Sequence, residues 1–304
     1  MSLPLVSVVI PTYNRLDFLK EAIFSVKKQA FNNYELLIVD DASSDGTWDW
    51  LQSLQDDRIR VFRFESNQYV SAARNKGLSE ALGEFIMFLD DDDLLLPQAL
   101  KKLVKPLKKD SQIVATIGGR WKFKKDVYRM KRPHPIMSFQ KVIWPELLAG
   151  WSSVSGQNLY RTKIVKKVDG YREELRRIND RDLWLKVAKL GSVAVIPDFV
   201  MEYRDHGISR VPRNAEEIRE SIYQEFIASL PDEEKARARQ IRKSANLSKK
   251  ADIEYKSGNY KDALDFSVEA CKASPELLLS PLTGTGLTST VAKSFLKSLP
   301  TLFA

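Results

Sequence analysis

Short apolar, β-branched runs alternate with helix-patterned stretches through the first hundred residues of this 304-residue chain, and three of the four runs stop against a polar cluster. Val6 to Ile10 ends at Pro11-Thr12-Tyr13, as a buried parallel strand would. Apolar residues then recur at Leu19, Ala22, Ile23 and Val26, the i, i+3, i+4, i+7 spacing of an amphipathic helix. Leu36 to Val39 is a second strand, cut off by Asp40-Asp41-Ala42-Ser43-Ser44-Asp45-Gly46, and Thr47 to Leu54 follows as a helix. Ile59 to Phe64 gives a third strand. Ser71 to Leu82 is Ala-rich and ends at Gly83, a helix with a glycine stop. Phe85 to Leu89 is a fourth strand, and it runs straight into Asp90-Asp91-Asp92-Asp93. Alternation of this kind predicts an α/β chain with a doubly wound, mainly parallel sheet. Ligands of such sheets sit outside the carboxyl ends of the strands. The three polar clusters therefore share one edge and line one cleft.

Four consecutive carboxylates repel one another unless a cation lies between them. A solvated acidic loop is one reading of such a run. A helix start is another, because Asp ahead of Leu94-Leu95-Leu96-Pro97 favours a helix N-terminus. At the mouth of a buried strand, with Asp40 and Asp41 beside it, the run instead predicts a divalent metal site. Oxygen ligands alone point to Mg²⁺ or Mn²⁺, ions that usually hold substrate phosphates as well. A dinucleotide-dependent oxidoreductase would carry Gly-x-Gly-x-x-Gly between the first strand and helix. That turn reads Pro11-Thr12-Tyr13-Asn14-Arg15, without glycine, and the P-loop pattern is missing as well. A nucleotide bound here is expected to be held through its diphosphate and a metal.

Val6-Ser7-Val8-Val9-Ile10-Pro11-Thr12-Tyr13-Asn14, Ile38-Val39-Asp40-Asp41-Ala42-Ser43-Ser44-Asp45-Gly46-Thr47, Ala73-Arg74-Asn75-Lys76-Gly77 and Phe88-Leu89-Asp90-Asp91-Asp92-Asp93 occur in that order. Together they resemble glycosyltransferase family 2, over roughly residues 4 to 210. The resemblance implies a GT-A fold, a nucleotide-activated sugar donor, a divalent metal (Mn²⁺ or Mg²⁺) and inversion of the anomeric carbon. It divides the chain into a catalytic domain, 1–210, with a nucleotide-sugar half (1–110) and an acceptor half (111–210), and a helical extension, 211–304. By the same resemblance Pro11, Thr12 and Tyr13 border the base, Asp41 accepts a hydrogen bond from a uracil-type base, and Arg74 lies near the base or phosphates. Asp90-Asp91-Asp92 resembles the Asp-x-Asp motif, with Asp92 on the metal and Asp90 and Asp91 on the nucleotide-sugar. Asp93 competes for the metal or starts a helix.

In the acceptor half, Gly156-Gln157-Asn158-Leu159-Tyr160-Arg161 and Val168-Asp169-Gly170-Tyr171 are similar to the family's segment beneath the acceptor pocket. Asn179-Asp180-Arg181-Asp182-Leu183-Trp184-Leu185 resembles the Glu-Asp-x-x-Leu-Trp-Leu element, which makes Asp180 the catalytic base, with Asp182 the alternative. Asn179 stands where the family has Glu. Tyr203-Arg204-Asp205-His206-Gly207-Ile208-Ser209 resembles a Tyr-Arg-x-His-x-x-Ser element, with Arg204 near the pyrophosphate and His206 reaching the metal or diphosphate. A base is a chemical necessity, since a sugar hydroxyl is a poor nucleophile until its proton is removed. Burial in the acceptor pocket is expected to raise the affinity of that carboxylate for a proton. Trp121, Trp144 and Trp151 either stack on a sugar or pack in the core, and His134, between Pro133 and Pro135, reads as loop.

Composition adds limits. A net charge of +8 favours an anionic partner, yet no zinc spacing, recognition helix or aromatic-basic RNA motif is present, so nucleic acid is not expected. No apolar stretch approaches the roughly 18 to 20 residues that cross a bilayer, and the start of the chain does not read as a secretion signal. The expectation is a cytoplasmic chain whose C-terminal part either caps the core as helix or attaches at the inner membrane surface. The single cysteine, Cys271, is expected to be a buried or half-buried side chain. Beyond about residue 211 the chain is helical, and Ser257-Gly258-Asn259-Tyr260 with Pro275 downstream resembles one tetratricopeptide-type unit. The tail around Leu277 to Leu279, Leu287 and Phe295 has an amphipathic pattern. The reading is an inverting, metal-dependent transferase with a UDP-linked donor and a glycan or lipid-linked acceptor, in bacterial surface-glycan synthesis. A non-catalytic sugar-nucleotide scaffold is the alternative. A sugar nucleotidyltransferase is disfavoured, because it would carry a glycine-rich phosphate loop after the first strand.

Overall fold

In the computed structural model, which describes residues 3–124, 127–130, 138–151, 153–206 and 214–275, the chain opens with β1 (Val6–Thr12), α1 (Leu16–Lys27), β2 (Tyr34–Asp40), α2 (Thr47–Gln52), β3 (Ile59–Arg63), α3 (Tyr69–Glu80) and β4 (Phe85–Phe88). It continues through β5 (Leu94–Leu95), α4 (Ala99–Lys109), β6 (Ile113–Lys124), β7 (Val127–Met130), β8 (Phe139–Lys141), α5 (Trp144–Leu148), β9 (Asn158–Arg161) and α6 (Thr162–Lys167). α7 (Asn179–Ala188) and β10 (Ser192–Arg204) complete the sheet-bearing part, and α8 (Ala215–Ala228), α9 (Asp232–Lys256) and α10 (Tyr260–Ala273) follow. His134, Gly207 to Ser209 and the tail from residue 276 onward lie outside the described residues.

Two compact units result. The first takes the chain up to Val142 and from Ser153 to Ala215. The second takes Ile143–Ser152 and everything from Glu216. The segment around Trp144 and Trp151, read from sequence as acceptor half, thus belongs to the helical unit.

The sheet of the first unit runs β3-β2-β1-β4-β9-β6-β10-β5, with β7 on β6 and β8 on β10. β1 pairs in parallel with β2 and β4, β2 with β3, and β6 with β10. β9 lies antiparallel between β4 and β6. Every residue of β1 and β2 is buried, as strands covered on both faces require. Val6, Val8, Ile10, Leu36, Ile38, Phe85 and Met87 point into one core with Leu19, Ile23 and Val26 of α1 and Leu100, Leu103 and Leu107 of α4. On the other face α3 lies against β1, where Gly77 meets Val9.

Two sequence expectations are adjusted here. Asp93 does not start a helix: Leu94–Leu95 form β5 against Met201–Glu202 of β10, and α4 begins only at Ala99. Pro97 accounts for the delay, because it holds the residue before it away from helical geometry. Second, β9 breaks the parallel order, and it does so around Arg161. The guanidinium is buried and donates to the carbonyls of Ile113 at 2.7 Å, Leu107 at 2.6 Å and Asp110 at 3.0 Å. A cation thereby satisfies orphan carbonyls at the end of α4, where the helix dipole favours it.

In the helical unit, Ala238, Ala251, Ala263 and Ala270 are fully buried and let α9 and α10 approach closely, with Ser244 donating to the Ala270 carbonyl at 2.8 Å. Arg242 of α9 joins α8 and α5: it donates to Glu220 at 2.8 Å and to the Leu148 carbonyl at 3.2 Å. Trp144 packs against Phe226 in the same unit. Cys271 is half-buried. No helix among the described residues is long and apolar enough to cross a membrane.

The Gly77 contact supplies a test. A Cβ at this position would lie 2.2 Å from Val9 Cγ1, so Gly77→Ala is expected to lower the unfolding free energy by roughly 1–3 kcal/mol through overpacking. Urea unfolding checks it, and adding Val9→Ala to that variant should recover part of the loss.

Candidate functional site

The turns after β1 and β2 hold each other in place. Asn14, at φ 51°, donates its amide N–H to Ser43 Oγ at 2.8 Å, and its side-chain oxygen accepts the Ser44 N–H at 2.7 Å. Asp45 serves two helices: one oxygen accepts the Thr47 N–H and hydroxyl, and the other accepts the Leu16 N–H. Asp40 is fully buried and accepts the Ser43 N–H at 3.1 Å, so it shapes the turn from below. Asp41 is also buried but borders the cleft, and it accepts the Gln68 N–H at 2.6 Å. Burial raises its pKa against the pull of that backbone hydrogen bond.

These turns border a cleft of about 1240 Å³. Pro11, Thr12, Tyr13, Asp41, Arg74, Asp90, Asp91, Asp92, Asp180, Arg204 and His206 all line it. These residues therefore converge on one space, whereas the alternatives Asp93 and Asp182 are not in its wall. Topology explains the convergence: β1, β2, β4, β6 and β10 all point their carboxyl ends to this edge, and antiparallel β9 contributes the residues that precede it.

The four aspartates take four different environments. Asp90 receives Arg74 Nη2 at 2.6 Å. Asp91 turns inward to the Thr12 hydroxyl at 2.9 Å and to Arg15 at 3.0 Å, and burial pushes its pKa up to about 6 despite the nearby guanidinium. Asp92 Oδ2 is met by Arg15 Nη1 at 2.6 Å and His206 Nε2 at 2.8 Å. Asp93 lies beneath the cleft and accepts the Arg204 backbone N–H at 2.9 Å. Burial first, then Asp90 and Asp92, hold its pKa well above the ordinary carboxylate range.

One oxygen each of Asp90, Asp92 and Asp93 lies within 4.8 Å of the others, and the buried Asp93 Oδ2 has no hydrogen-bond partner among the described residues. An oxygen-only cluster with an orphaned buried acceptor fits a hard divalent cation.

Across the cleft, Asp180 sits in the first turn of α7, after Ile178 in the left-handed region at φ 63°. Its Oδ1 accepts Arg74 Nη1 at 3.1 Å, Ser155 Oγ at 3.1 Å and Tyr171 Oη at 3.3 Å. The side chain is 31% exposed and open to the cleft. Asp182 instead pairs with Arg172 at 3.1 Å and Lys186 at 2.8 Å, is buried, and is not part of the cleft wall. Asn179 is buried as well: it donates to Ser71 Oγ at 2.8 Å and accepts from Arg74 at 3.3 Å.

Arg74 thus connects the two walls. Its guanidinium is 3% exposed, lies 4.9 Å from the centre of the Tyr171 ring, and reaches Asp90 and Ser155 with one nitrogen and Asp180 and Asn179 with the other.

Some expected neighbours are engaged elsewhere. Arg204 lines the cleft but directs its guanidinium to Glu21 at 2.6 Å and the Asp92 carbonyl at 3.0 Å, between the rings of Phe18 and Phe123. Trp121 stacks on Phe199 and is no part of the cleft wall. The aromatic residues there are Tyr13, Tyr69 and Tyr203. Arg15, Lys122, Arg176 and Arg177 also line it and were not picked out from the sequence. A signal for Arg15 existed, since it is the one charge in the turn that follows β1.

The model of glycosyl transferase family 2 matches residues 7–169. The GalNAc(5)-diNAcBac-PP-undecaprenol beta-1,3-glucosyltransferase of Campylobacter jejuni is 44% identical over 106 residues, 34% of this chain and 34% of its own. A Haemophilus influenzae glycosyltransferase is 38% identical over 104 residues, 34% of this chain and 42% of its own. The chain thus spans less than half the length of both. Glycosyltransferase MJ1057 of Methanocaldococcus jannaschii is 30% identical over 232 residues, 70% of this chain and 76% of its own. Among solved structures, S. aureus TarS 1-349 has a TM-score of 0.67 at 20% identity, covering 95% of this chain and 88% of that one. The fold is the GT-A fold, followed by a helical region.

Removing Arg74 leaves carboxylates and buried polar groups without their shared donor. Arg74→Met is expected to cost on the order of 2 kcal/mol or more in urea unfolding. Arg74→Lys should recover only part of it, because one ammonium cannot span both walls as a guanidinium fork does.

Proposed function

The chain belongs to glycosyl transferase family 2, and on that premise we propose that it moves a sugar from a UDP-linked donor to a hydroxyl of a glycan or lipid-linked acceptor, inverting the anomeric carbon. The observation that carries the reading is the pair of opposed acidic walls, Asp41 with Asp90 to Asp92 on one side and Asp180 on the other, joined by Arg74.

In this reading Pro11, Thr12 and Tyr13 border the base, and Asp41 accepts the uracil N–H. A UDP-linked donor is supported by the TarS structures of the same fold in complex with UDP-GlcNAc and with UDP. Asp90, Asp92 and Asp93, with His206 against Asp92, would hold Mn²⁺ or Mg²⁺. Such an ion, when bound, offsets the charge of a departing diphosphate.

Asp180 takes the proton of the acceptor hydroxyl as that oxygen attacks. Three donors fix its Oδ1, from Arg74, Ser155 and Tyr171, which leaves Oδ2 to face the acceptor. Attack from the side opposite the departing nucleotide inverts the anomeric centre in one displacement, so no covalent nucleophile is needed. The lipid-linked acceptor class is supported by the undecaprenol diphosphate named for the Campylobacter relative. It would bring the chain to the inner face of the membrane. In the same reading the α9–α10 hairpin is one tetratricopeptide-like repeat.

Thermal melting with a panel of nucleoside diphosphates is expected to show stabilisation by UDP that requires both Mn²⁺ and Asp92. An Asp92→Ala protein that responds as wild type does would sink the donor-site assignment. Asp180→Asn should lower kcat by about 10²- to 10⁴-fold while UDP still raises the melting temperature.

Uridine binding without metal should weaken as pH falls. Asp41 must be ionised to accept the base N–H, and its raised pKa makes the loss begin above the usual range near pH 4. Asp41→Asn should abolish that pH dependence, as followed by calorimetry.

A further inference from the structure

Among the described residues Arg15, Arg74 and Arg204 contact Asp90 to Asp92, and they differ in their freedom to move. Arg74 is buried and held by four acceptors. Arg204 is held by Glu21 and the Asp92 carbonyl and stacked between two rings. Arg15 is 23% exposed and lines the cleft, and its ion pairs are to Asp91 and Asp92.

Its backbone is fixed all the same, because the Arg15 carbonyl accepts the Leu19 N–H at 3.0 Å at the start of α1. The side chain can swing while its Cα stays in place. The oxygen it meets, Asp92 Oδ2, is the one His206 also contacts, and Asp92 belongs to the carboxylate cluster that fits a divalent cation. A guanidinium on that oxygen competes with an ion for its lone pairs, and two cations at this spacing repel.

We propose that Arg15 is the resident cation of the acidic cluster, which a divalent metal displaces from Asp92, and that the displaced guanidinium then binds the donor diphosphate. The inference rests on the metal-assisted donor site proposed above. Three facts support it together: the shared oxygen, the partial exposure of Arg15, and ion pairs that, among the described residues, go to the cleft-lining Asp91 and Asp92. Guanidinium is well matched to phosphate oxygens, so the second position is as well suited to it as the first.

Mn²⁺ binding can be followed by loss of the free-ion EPR signal in wild type, Arg15→Gln, Arg15→Met and Arg15→Lys. Without nucleotide, the neutral variants should bind Mn²⁺ on the order of 10-fold more tightly than wild type, with Arg15→Lys between them. At saturating Mn²⁺ the order should reverse for UDP, the neutral variants binding it several-fold more weakly.

Either neutral variant that keeps the wild-type far-UV spectrum suffices. Equal or weaker Mn²⁺ binding in that variant would overturn the proposal and leave Arg15 as a structural ion pair, whose loss lowers only the melting temperature. If wild type and variants all fail to bind Mn²⁺ with and without UDP, the metal reading falls and the proposal falls with it.

Discussion

The constraint on which the first unit depends is the gathering of carboxylates at one edge of a buried sheet. Asp40, Asp41 and Asp90 to Asp93 sit where two parallel strands end, and Asp180 faces them. Buried charge of one sign is tolerated only when it is paired or protonated. This chain uses both means. Arg15, Arg63 and Arg74 come from three different elements and pair with Asp91 and Asp92, with Asp40, and with Asp90 and Asp180. Asp93 is held toward its neutral form by burial and by Asp90 and Asp92, against the pull of the Arg204 backbone N–H and the Arg120 guanidinium. The order of the acidic edge is therefore an electrostatic balance, and a cation added to it or withdrawn from it shifts the whole set.

The two walls communicate because of β9. A parallel strand between β4 and β6 would bring its own carboxyl end to the cleft. The antiparallel strand instead brings the residues before it, and Ser155 thereby reaches both Arg74 and Asp180. Close packing keeps that approach exact in position: a Cβ on Gly156 would lie 3.0 Å from Leu89 and Met201, and one on Gly170 would lie 2.6 Å from the Asn75 side chain, which in turn accepts the Tyr171 N–H. Tyr171 then stands beside Arg74 and donates to Asp180. Glycines at these positive-φ positions set the spacing between the two walls of the cleft.

Much of this was legible in the sequence, for identifiable reasons. β1, β2 and β4 are predominantly apolar runs, and α1 shows a clear helical period, so composition and period alone locate them. The polar residues at their ends then lie at one edge by topology, which is why Pro11 to Tyr13, Asp41 and Asp90 to Asp92 line the cleft. β9 was not legible as antiparallel, because four buried residues carry no period that distinguishes direction. Its placement depends on Arg161 meeting carbonyls about fifty residues earlier in the chain, a contact that no local pattern encodes. β5 was hidden for a related reason, since two leucines after an acidic run look like a helix start until Pro97 and the partner strand β10 are taken into account. Arg15 follows its motif directly, yet its importance lies in aspartates more than seventy residues away.

Asn179 shows how a departure from a family pattern can be read physically. A Glu at this position would set a third carboxylate beside Arg74, next to Asp90 and Asp180. Asn keeps an acceptor toward Arg74 and adds a donor toward Ser71, so the site retains its hydrogen bonds with one negative charge fewer. Arg74 is then shared between two carboxylates on opposite walls, and the carboxylate of Asp180 keeps all three of its donors. The substitution therefore changes the charge around the bridging arginine and leaves the Asp180 carboxylate in place on the cleft wall. That arrangement argues for a working cleft with altered electrostatics over a fold that has lost its chemistry.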